Sequence, residues 1–417
     1  MKILTIEGGR PLDGSVRAQG SKNSVLPIMA ASLLAGGETV VRNVPDLSDV
    51  DVSVRILRHL GCSVKREGGV VTIDPRGMDR SDIPDRLMRE MRSSVVFMGA
   101  ILARTGRADL TYPGGCELGP RPIDLHLYAL RELGAEIDET GGRMTCRAAS
   151  LKGGAVRLPT PSVGATENAM LAASRAEGET LIFNPAREPE IEDLQAFLRE
   201  LGTDVSGAGG PVIRVRGGAP RGGADHTVIP DRIVAATWLC AACSAGGRVE
   251  VTGCVPEHFE AVTAAIEALG AEVRRGADSV SVLVRRPLRA IRPVSTEPYP
   301  GFPTDAQPPL MAAALKAAGT TVFVENIFEN RYGCVEELKR MGADVRVSGK
   351  TAIVCGAPAL HGASVSATDL RGGAALAVAA LGAEGASEIY GAAHILRGYE
   401  RPDEVLRTLG AEASLTG

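Results

Sequence analysis

The stretch MAAALKAAGTTVFVE at 311–325, followed by LKRMGADV at 338–345, decides the fold of this 417-residue chain, because both phrases recur. The second reappears as LRHLGCSV at 57–64, LRELGAEI at 130–137, LRELGTDV at 198–205, IEALGAEV at 266–273 and LRTLGAEA at 406–413. The first precedes each of them, as MAASLLAGGETVVRNV, MGAILARTGRADLTY, MLAASRAEGETLIFNP, LCAACSAGGRVEVTG and AVAALGAEGASEIYG. The phrase glycines Gly61, Gly134, Gly202, Gly270, Gly342 and Gly410 lie about 70 residues apart, so the chain repeats one module six times.

Each phrase has a physical reading. The alanine-leucine run is apolar on nearly all sides and predicts a buried helix, closed by the glycine behind it. The β-branched, alternating run that follows predicts a strand. The LxxLG phrase predicts a second helix, and a stretch such as EVRRGADSVSVLV at 272–284 a hairpin. Helix, strand, helix, strand, strand suits a small α/β module rather than a thin solenoid repeat. Six modules form one ring or two domains of three. The glycine-rich, polar stretch RVRGGAPRGGADHTVIPDR predicts an inter-domain connection around 219–229. Residues 1–20 have no partner hairpin nearby, and the last module lacks a closing one. The simple completion gives one domain from 21–229 and another from 1–20 plus 230–417, with a ligand cleft between them.

Composition bounds the rest. With 50 glycines and only 3% aromatics, a core must be built from Ala, Val, Leu and Ile. The 23% charged and 44% hydrophobic content excludes a disordered or collagen-like chain. A net charge of −4 offers no global attraction to nucleic acid or anionic lipid, so any bound anion needs a local cluster of cations. The N-terminal MKILTIEGGRPL lacks the apolar core of a signal peptide. The longest helical candidate, Ala235 to Ala245, is too short to span a bilayer. Eight scattered cysteines lack framework spacing, which predicts a cytosolic protein with reduced thiols. Cys240 and Cys243 sit in TWLCAACSAGG and read as small buried hydrophobes. The six histidines lack ligand spacing, so no metal is expected.

Chemistry is expected where the modules depart from their repeat. Cys116 lies among glycines and prolines in TYPGGCELGPRPIDLH at 111–126, with Arg121 nearby; a basic neighbour favours a reactive thiolate. Lys22 and Asn23 follow Gly20-Ser21 at a predicted helix start, where backbone N–H groups and a lysine hold phosphate. A plain N-cap by Ser21 or Asn23 is the competing reading. Asp305, after three prolines in TEPYPGFPTDAQPPL, reads as an N-cap or as a general base. Arg331, Arg371 and Arg397 stand at element ends; singly each reads as a solvated charge, but with Lys22 they suggest a ligand bearing phosphates and a carboxylate.

Nine motifs, GSKNSVLP, GGCELGPRPIDLH, PSVGATENAML, AREPEIED, VIPDRI, YPGFPTDAQPPLMA, IFENRY, TDLR and HILRGYER, run in order along the whole chain. Together they resemble the UDP-N-acetylglucosamine 1-carboxyvinyltransferases, a group of enolpyruvyl transferases. The resemblance implies an α/β fold of two domains, each an inside-out α/β barrel of three βαβαββ repeats. It implies transfer of the enolpyruvyl group of phosphoenolpyruvate to the 3-hydroxyl of UDP-N-acetylglucosamine, with release of phosphate and no cofactor. By the same resemblance Cys116 protonates the phosphoenolpyruvate methylene and is the target of epoxides such as fosfomycin. Asp305 takes the sugar hydroxyl proton. Lys22, Arg121 and Arg397 hold phosphoenolpyruvate, and Arg92, Arg331 and Arg371 are further arginines of the cleft. Asn23, Arg121, Pro122, Ile123, Asp124, Leu125, Ser162, Val163, Gly164, Asp305 and Ile327 match the sugar-nucleotide site, with Asp231 and Asp369 supporting. His126 and His394 lie inside motifs and read as structural or one shell back from substrate. The chain departs from the family pattern at Pro120, Thr160 and Leu396. The expected partners are the two substrates, with no nucleic acid or membrane, for a monomer or weak homo-oligomer. Two alternatives are a sibling resembling 5-enolpyruvylshikimate-3-phosphate synthase and a non-catalytic sugar-nucleotide-binding paralogue.

Overall fold

The computed structural model describes residues 2–114, 123–219, 222–356 and 359–417. The fifth module shows the repeat most plainly. Helix Gln307–Ala314 leads into strand Thr320–Val324, then helix Val335–Arg340, then the hairpin of Asp344–Ser348 with Thr351–Cys355. All six LxxLG glycines take the left-handed backbone, with φ between 88° and 105°. A side chain is strained there, which is why glycine ends the second helix of every module.

The chain forms two compact units. One comprises residues up to Gln19 together with Pro230–Gly417, and the other the described residues of Gly20–Ile229. Each has its own apolar core. In the first unit the helices Arg232–Ala245, Gln307–Ala314 and Leu370–Gly382 pack on one another and are buried along nearly their whole length. Small side chains let the three backbones approach closely. Around them lie mixed sheets whose strands alternate between buried and more exposed residues, so that one face meets the helices.

Among the described residues five of the six sheets have four strands, each with one parallel and two antiparallel pairs. The second module has three strands, Arg107–Thr111, Arg143–Arg147 and Glu136–Asp138, and its parallel neighbour is reduced to a bridge between Asp82 and Asp109. The N-terminal strands belong to the far end of the chain. Ile3–Glu7 lies between Ala386–Tyr390 and Glu412–Thr416, antiparallel to both, with Ile3 opposite Tyr390 and Thr416. Leu12–Arg17 runs parallel to Gly247–Thr252.

The stretch expected to be a connector is partly structured. Asp225–Thr227 is a strand parallel to Thr39–Arg42, and its buried His226 bonds Asp193 and Glu200. The connector is therefore shorter than 219–229, because an inward-facing histidine with two carboxylate partners fixes its second half. No helix among the described residues is long and apolar enough to cross a membrane. Cys240 and Cys243 are buried in helix Arg232–Ala245, and burial pushes the Cys243 thiol up to about 12. They are packing residues.

Candidate active site

The best-defined charged constellation lies in the unit that carries the chain end. Asp305 sits in a 3₁₀ turn, Thr304–Ala306, ahead of helix Gln307–Ala314. Its carboxylate does not cap that helix. Oδ1 accepts from Arg331 Nη2 at 2.8 Å and Oδ2 from Arg371 Nη2 at 3.0 Å. Sequence reasoning offered Arg331 and Arg371 as solvated charges when taken singly; both are buried, and Arg331 is only 1% exposed. Buried guanidinium groups require anionic partners, and the Asp305 carboxylate supplies one to each. Burial acts to lower the Arg371 pKa, but Asp305, Tyr399 and Asp231 outweigh it and hold the guanidinium above its ordinary value.

The supporting aspartates are helix caps. Asp231 accepts from the backbone N–H of Ile233 and Val234 at 2.9 and 3.0 Å. Asp369 accepts from those of Arg371 and Gly372, both at 2.9 Å. Asp369 thereby fixes the backbone from which Arg371 projects toward Asp305. Arg397 lies in a 3₁₀ turn, Ile395–Arg397, and is half-buried. Two residues on, the buried Tyr399 hydroxyl contacts Thr237 Oγ1 at 2.9 Å and accepts from Arg371 Nη1 at 3.3 Å. Ile327 is 39% exposed, and its N–H donates to Glu325 Oε1.

In the other unit Lys22 begins helix Lys22–Ala31, but neither Ser21 nor Asn23 caps it through a side chain. Lys22 is instead buried and its Nζ lies 2.8 Å from Asp49 Oδ2, which is also buried. Asn23 beside it is half-buried. Ser162 caps helix Val163–Ala173 by accepting from Ala165 N at 3.4 Å. Gly164 lies against the His126 ring, and a Cβ there would stand 2.6 Å from Cε1. His126 Nδ1 is 2.8 Å from Asn168 Nδ2, so this histidine holds the helix start in shape. Ile123 is buried, while Asp124 and Leu125 open helix Asp124–Glu132. Arg92 opens a 3₁₀ turn, Arg92–Val96, and is half-buried. Cys116, Arg121 and Pro122, with Pro120, lie outside the described residues.

Several polar residues at these positions were not singled out from sequence. Asp49 is separated from Lys22 by a whole strand and turn. Tyr399, Thr304 and Glu325 lie within or beside quoted motifs. Glu167, in PSVGATENAML, is buried; burial first, then Glu190 and Glu188, push its carboxyl up to about 8. A carboxylate inside an alanine-rich helix is the signal that would have found it.

Residues 6–406 match the model of the EPSP synthase (3-phosphoshikimate 1-carboxyvinyltransferase) family. UDP-N-acetylglucosamine 1-carboxyvinyltransferase 2 of Caldanaerobacter subterraneus subsp. tengcongensis is 46% identical over 99% of both chains. UDP-N-acetylglucosamine 1-carboxyvinyltransferase 1 of Symbiobacterium thermophilum is 48% identical, covering 98% of this chain and 94% of its own. Among solved structures, the enolpyruvyl transferase NikO from Streptomyces tendae gives a TM-score of 0.90 at 28% identity, over 100% of this chain and 99% of that one. EPSP synthase from Acinetobacter baumannii, at 22% identity and a TM-score of 0.76 over 100% of both chains, shares the fold. With near-complete coverage and close to half of all residues identical, the chain belongs to the EPSP synthase family of enolpyruvyl transferases, and within it to the UDP-N-acetylglucosamine 1-carboxyvinyltransferases.

Proposed function

We propose that the protein transfers the enolpyruvyl group of phosphoenolpyruvate to the 3-hydroxyl of UDP-N-acetylglucosamine and releases phosphate, the first committed step of peptidoglycan precursor synthesis. The observation that carries this reading is the Asp305 carboxylate gripped by Arg331 and Arg371. A carboxylate between two guanidinium groups favours its ionised form, in which it can take a hydroxyl proton. The names of the relatives supply the acceptor.

The chemistry is an addition followed by an elimination. Cys116 donates a proton to the methylene carbon while Asp305 takes the proton of the sugar hydroxyl. The new C–O bond forms at the adjacent carbon, giving a tetrahedral intermediate that still carries phosphate. Loss of a methyl proton and of phosphate restores the double bond. The intervening cation is stabilised by fixed charges, which favours a rigid, preorganised site. Lys22, Arg121 and Arg397 bind the phosphate and carboxylate of phosphoenolpyruvate. Arg92, Arg331 and Arg371 offset the repulsion between two anionic substrates. Asn23, Pro122, Ile123, Asp124, Leu125, Ser162, Val163, Gly164 and Ile327 hold the sugar nucleotide, and Asp231 and Asp369 brace the helix heads. The protein acts in the cytoplasm, supports cell shape and division through wall synthesis, and is inactivated by fosfomycin at Cys116.

The test is phosphate release with phosphoenolpyruvate and UDP-N-acetylglucosamine, run beside shikimate 3-phosphate as acceptor. Release with the sugar nucleotide alone, abolished by the epoxide and greatly reduced in Cys116→Ser, is expected. Release with shikimate 3-phosphate alone identifies the sibling activity. Sugar-nucleotide binding without any release leaves the non-catalytic reading.

A further inference from the structure

A carboxylate bound by two arginines is a weakened base, since both cations favour its ionised form. The surroundings of Arg331 offset this. Glu325 is 3% exposed, and its Oε1 accepts the backbone N–H groups of Ile327 at 2.8 Å and Phe328 at 3.0 Å. Thr304 Oγ1 lies 3.0 Å from both of its carboxylate oxygens. The same hydroxyl accepts from Arg331 Nε at 3.0 Å, so its own hydrogen points to Glu325. One chain of hydrogen bonds thus runs from Glu325 through Thr304 and Arg331 to Asp305.

We propose that Glu325 is a positioning residue for the Asp305 base: through Thr304 it fixes Arg331 and shares its charge, leaving Asp305 ionised yet still basic. The proposal rests on the reading of Asp305 as the group that takes the hydroxyl proton. The charge count supports it. Arg331 and Arg371 face Asp305 directly, and one aspartate against two buried cations leaves an excess of positive charge. Glu325 behind Arg331 supplies a second negative charge, and Asp231 near Arg371 a third. Among the described residues, several neighbouring groups have partners of their own, and Arg397 lies in the Ile395–Arg397 turn packed on the Arg371 helix. Asp369 caps its helix, and Tyr399 contacts Thr237 and Arg371. Arg232, at the head of the helix packed on the Thr304–Ala306 turn, stacks over Tyr299. Tyr332 donates to the carbonyls of Phe323 and Lys350, and Lys350 Nζ turns to Asn326 Oδ1. Glu325 also sets the turn that presents Ile327, so one buried carboxylate ties a sugar-nucleotide contact to the base.

The test is the pH dependence of phosphate release by the full chain for wild type, Glu325→Gln, Thr304→Val, Thr304→Ser and Asp305→Asn, with thermal melts to establish folding. Glu325→Gln removes the negative charge behind Arg331. The acid limb of kcat/KM then moves down by about half a unit to one unit, and plateau kcat falls about two- to three-fold as the base weakens. KM for both substrates stays within about two-fold of wild type. Thr304→Val breaks the chain without changing charge and shifts the limb the same way, while Thr304→Ser restores it. If Glu325→Gln does not fold, Thr304→Val decides. An unmoved or raised limb in the folded variants, with the limb lost in Asp305→Asn, overturns the proposal and leaves the base assignment standing. A wild-type limb in Asp305→Asn overturns the base assignment, and the proposal with it.

Discussion

Tyr399→Phe isolates a single hydroxyl in this network. Tyr399 is 1% exposed, and its ring meets that of Trp238 edge-on at 5.5 Å between centroids. Phenylalanine keeps the ring and leaves no cavity, so the cost is that of two polar contacts. Thr237 Oγ1 retains its bond to the carbonyl of Ile233 at 2.8 Å and is little affected. Arg371 loses more. Among the described residues its Nε has no hydrogen-bond partner, and the substitution removes the partner of Nη1 at 3.3 Å, leaving of these the bond from Nη2 to Asp305. An unsatisfied donor on a buried charged group costs roughly 1–3 kcal/mol. Trp238 is the sole tryptophan in the chain and packs against this ring, so its fluorescence follows the unfolding of this unit in urea. The expected result is a lower midpoint at unchanged slope, worth roughly 1–3 kcal/mol, with a fall in kcat as Arg371 loosens from Asp305. Thr237→Val leaves the Tyr399–Arg371 contact in place and costs less. A Tyr399→Phe variant that unfolds within about 0.5 kcal/mol of wild type refutes the view that the phenol satisfies Arg371.

Three further outcomes follow from the other unit. Burial acts to lower the His226 pKa, but Asp193 and Glu200 outweigh it and hold it above its ordinary 6.5. The stability this gives is complete below about pH 6.5 and is lost as pH rises through the folded value; urea titrations of wild type show that decline, and His226→Gln removes it. Glu167, held protonated up to about 8, gives the opposite kind of substitution. The unfolded chain releases that proton above about pH 4.5, so wild-type stability falls from there toward pH 8; Glu167→Gln is equal to wild type near pH 4 and more stable at pH 8. Gly164→Ala forces a Cβ to 2.6 Å from a His126 ring held by Asn168, costing about 1–3 kcal/mol in melts and weakening sugar-nucleotide binding in calorimetry.

The repeat made most of the fold legible. Six glycines at a constant place in the phrase require the same left-handed turn, and a helix that is apolar all round has to lie inside its module. The strand Asp225–Thr227 was not legible, because three residues give too short a run for alternation and its flanks are glycine-rich. The site was legible by residue type but not by partner. Asp305 could be singled out from its prolines and the helix that follows. That its oxygens face arginines from two other stretches is a tertiary fact with no local trace. Lys22 reads in the sequence as a candidate phosphate ligand at a helix start, beside the N-cap alternative, and its pairing with Asp49 depends on how two helices of one module pack.

The strand pairing of the two chain ends has a consequence for synthesis. Residues 20–229 emerge from the ribosome as a continuous stretch holding all the strands of their own sheets. The other unit cannot close early. Ile3–Glu7 finds its neighbour Glu412–Thr416 only after the roughly 400 residues between them have been translated. Its exposed edges must stay unpaired or shielded while about 400 residues are added, at some 5–20 residues per second. A rearranged gene that begins at Pro230 and joins Gly417 through a short linker to residue 1 would make that unit contiguous and end the wait.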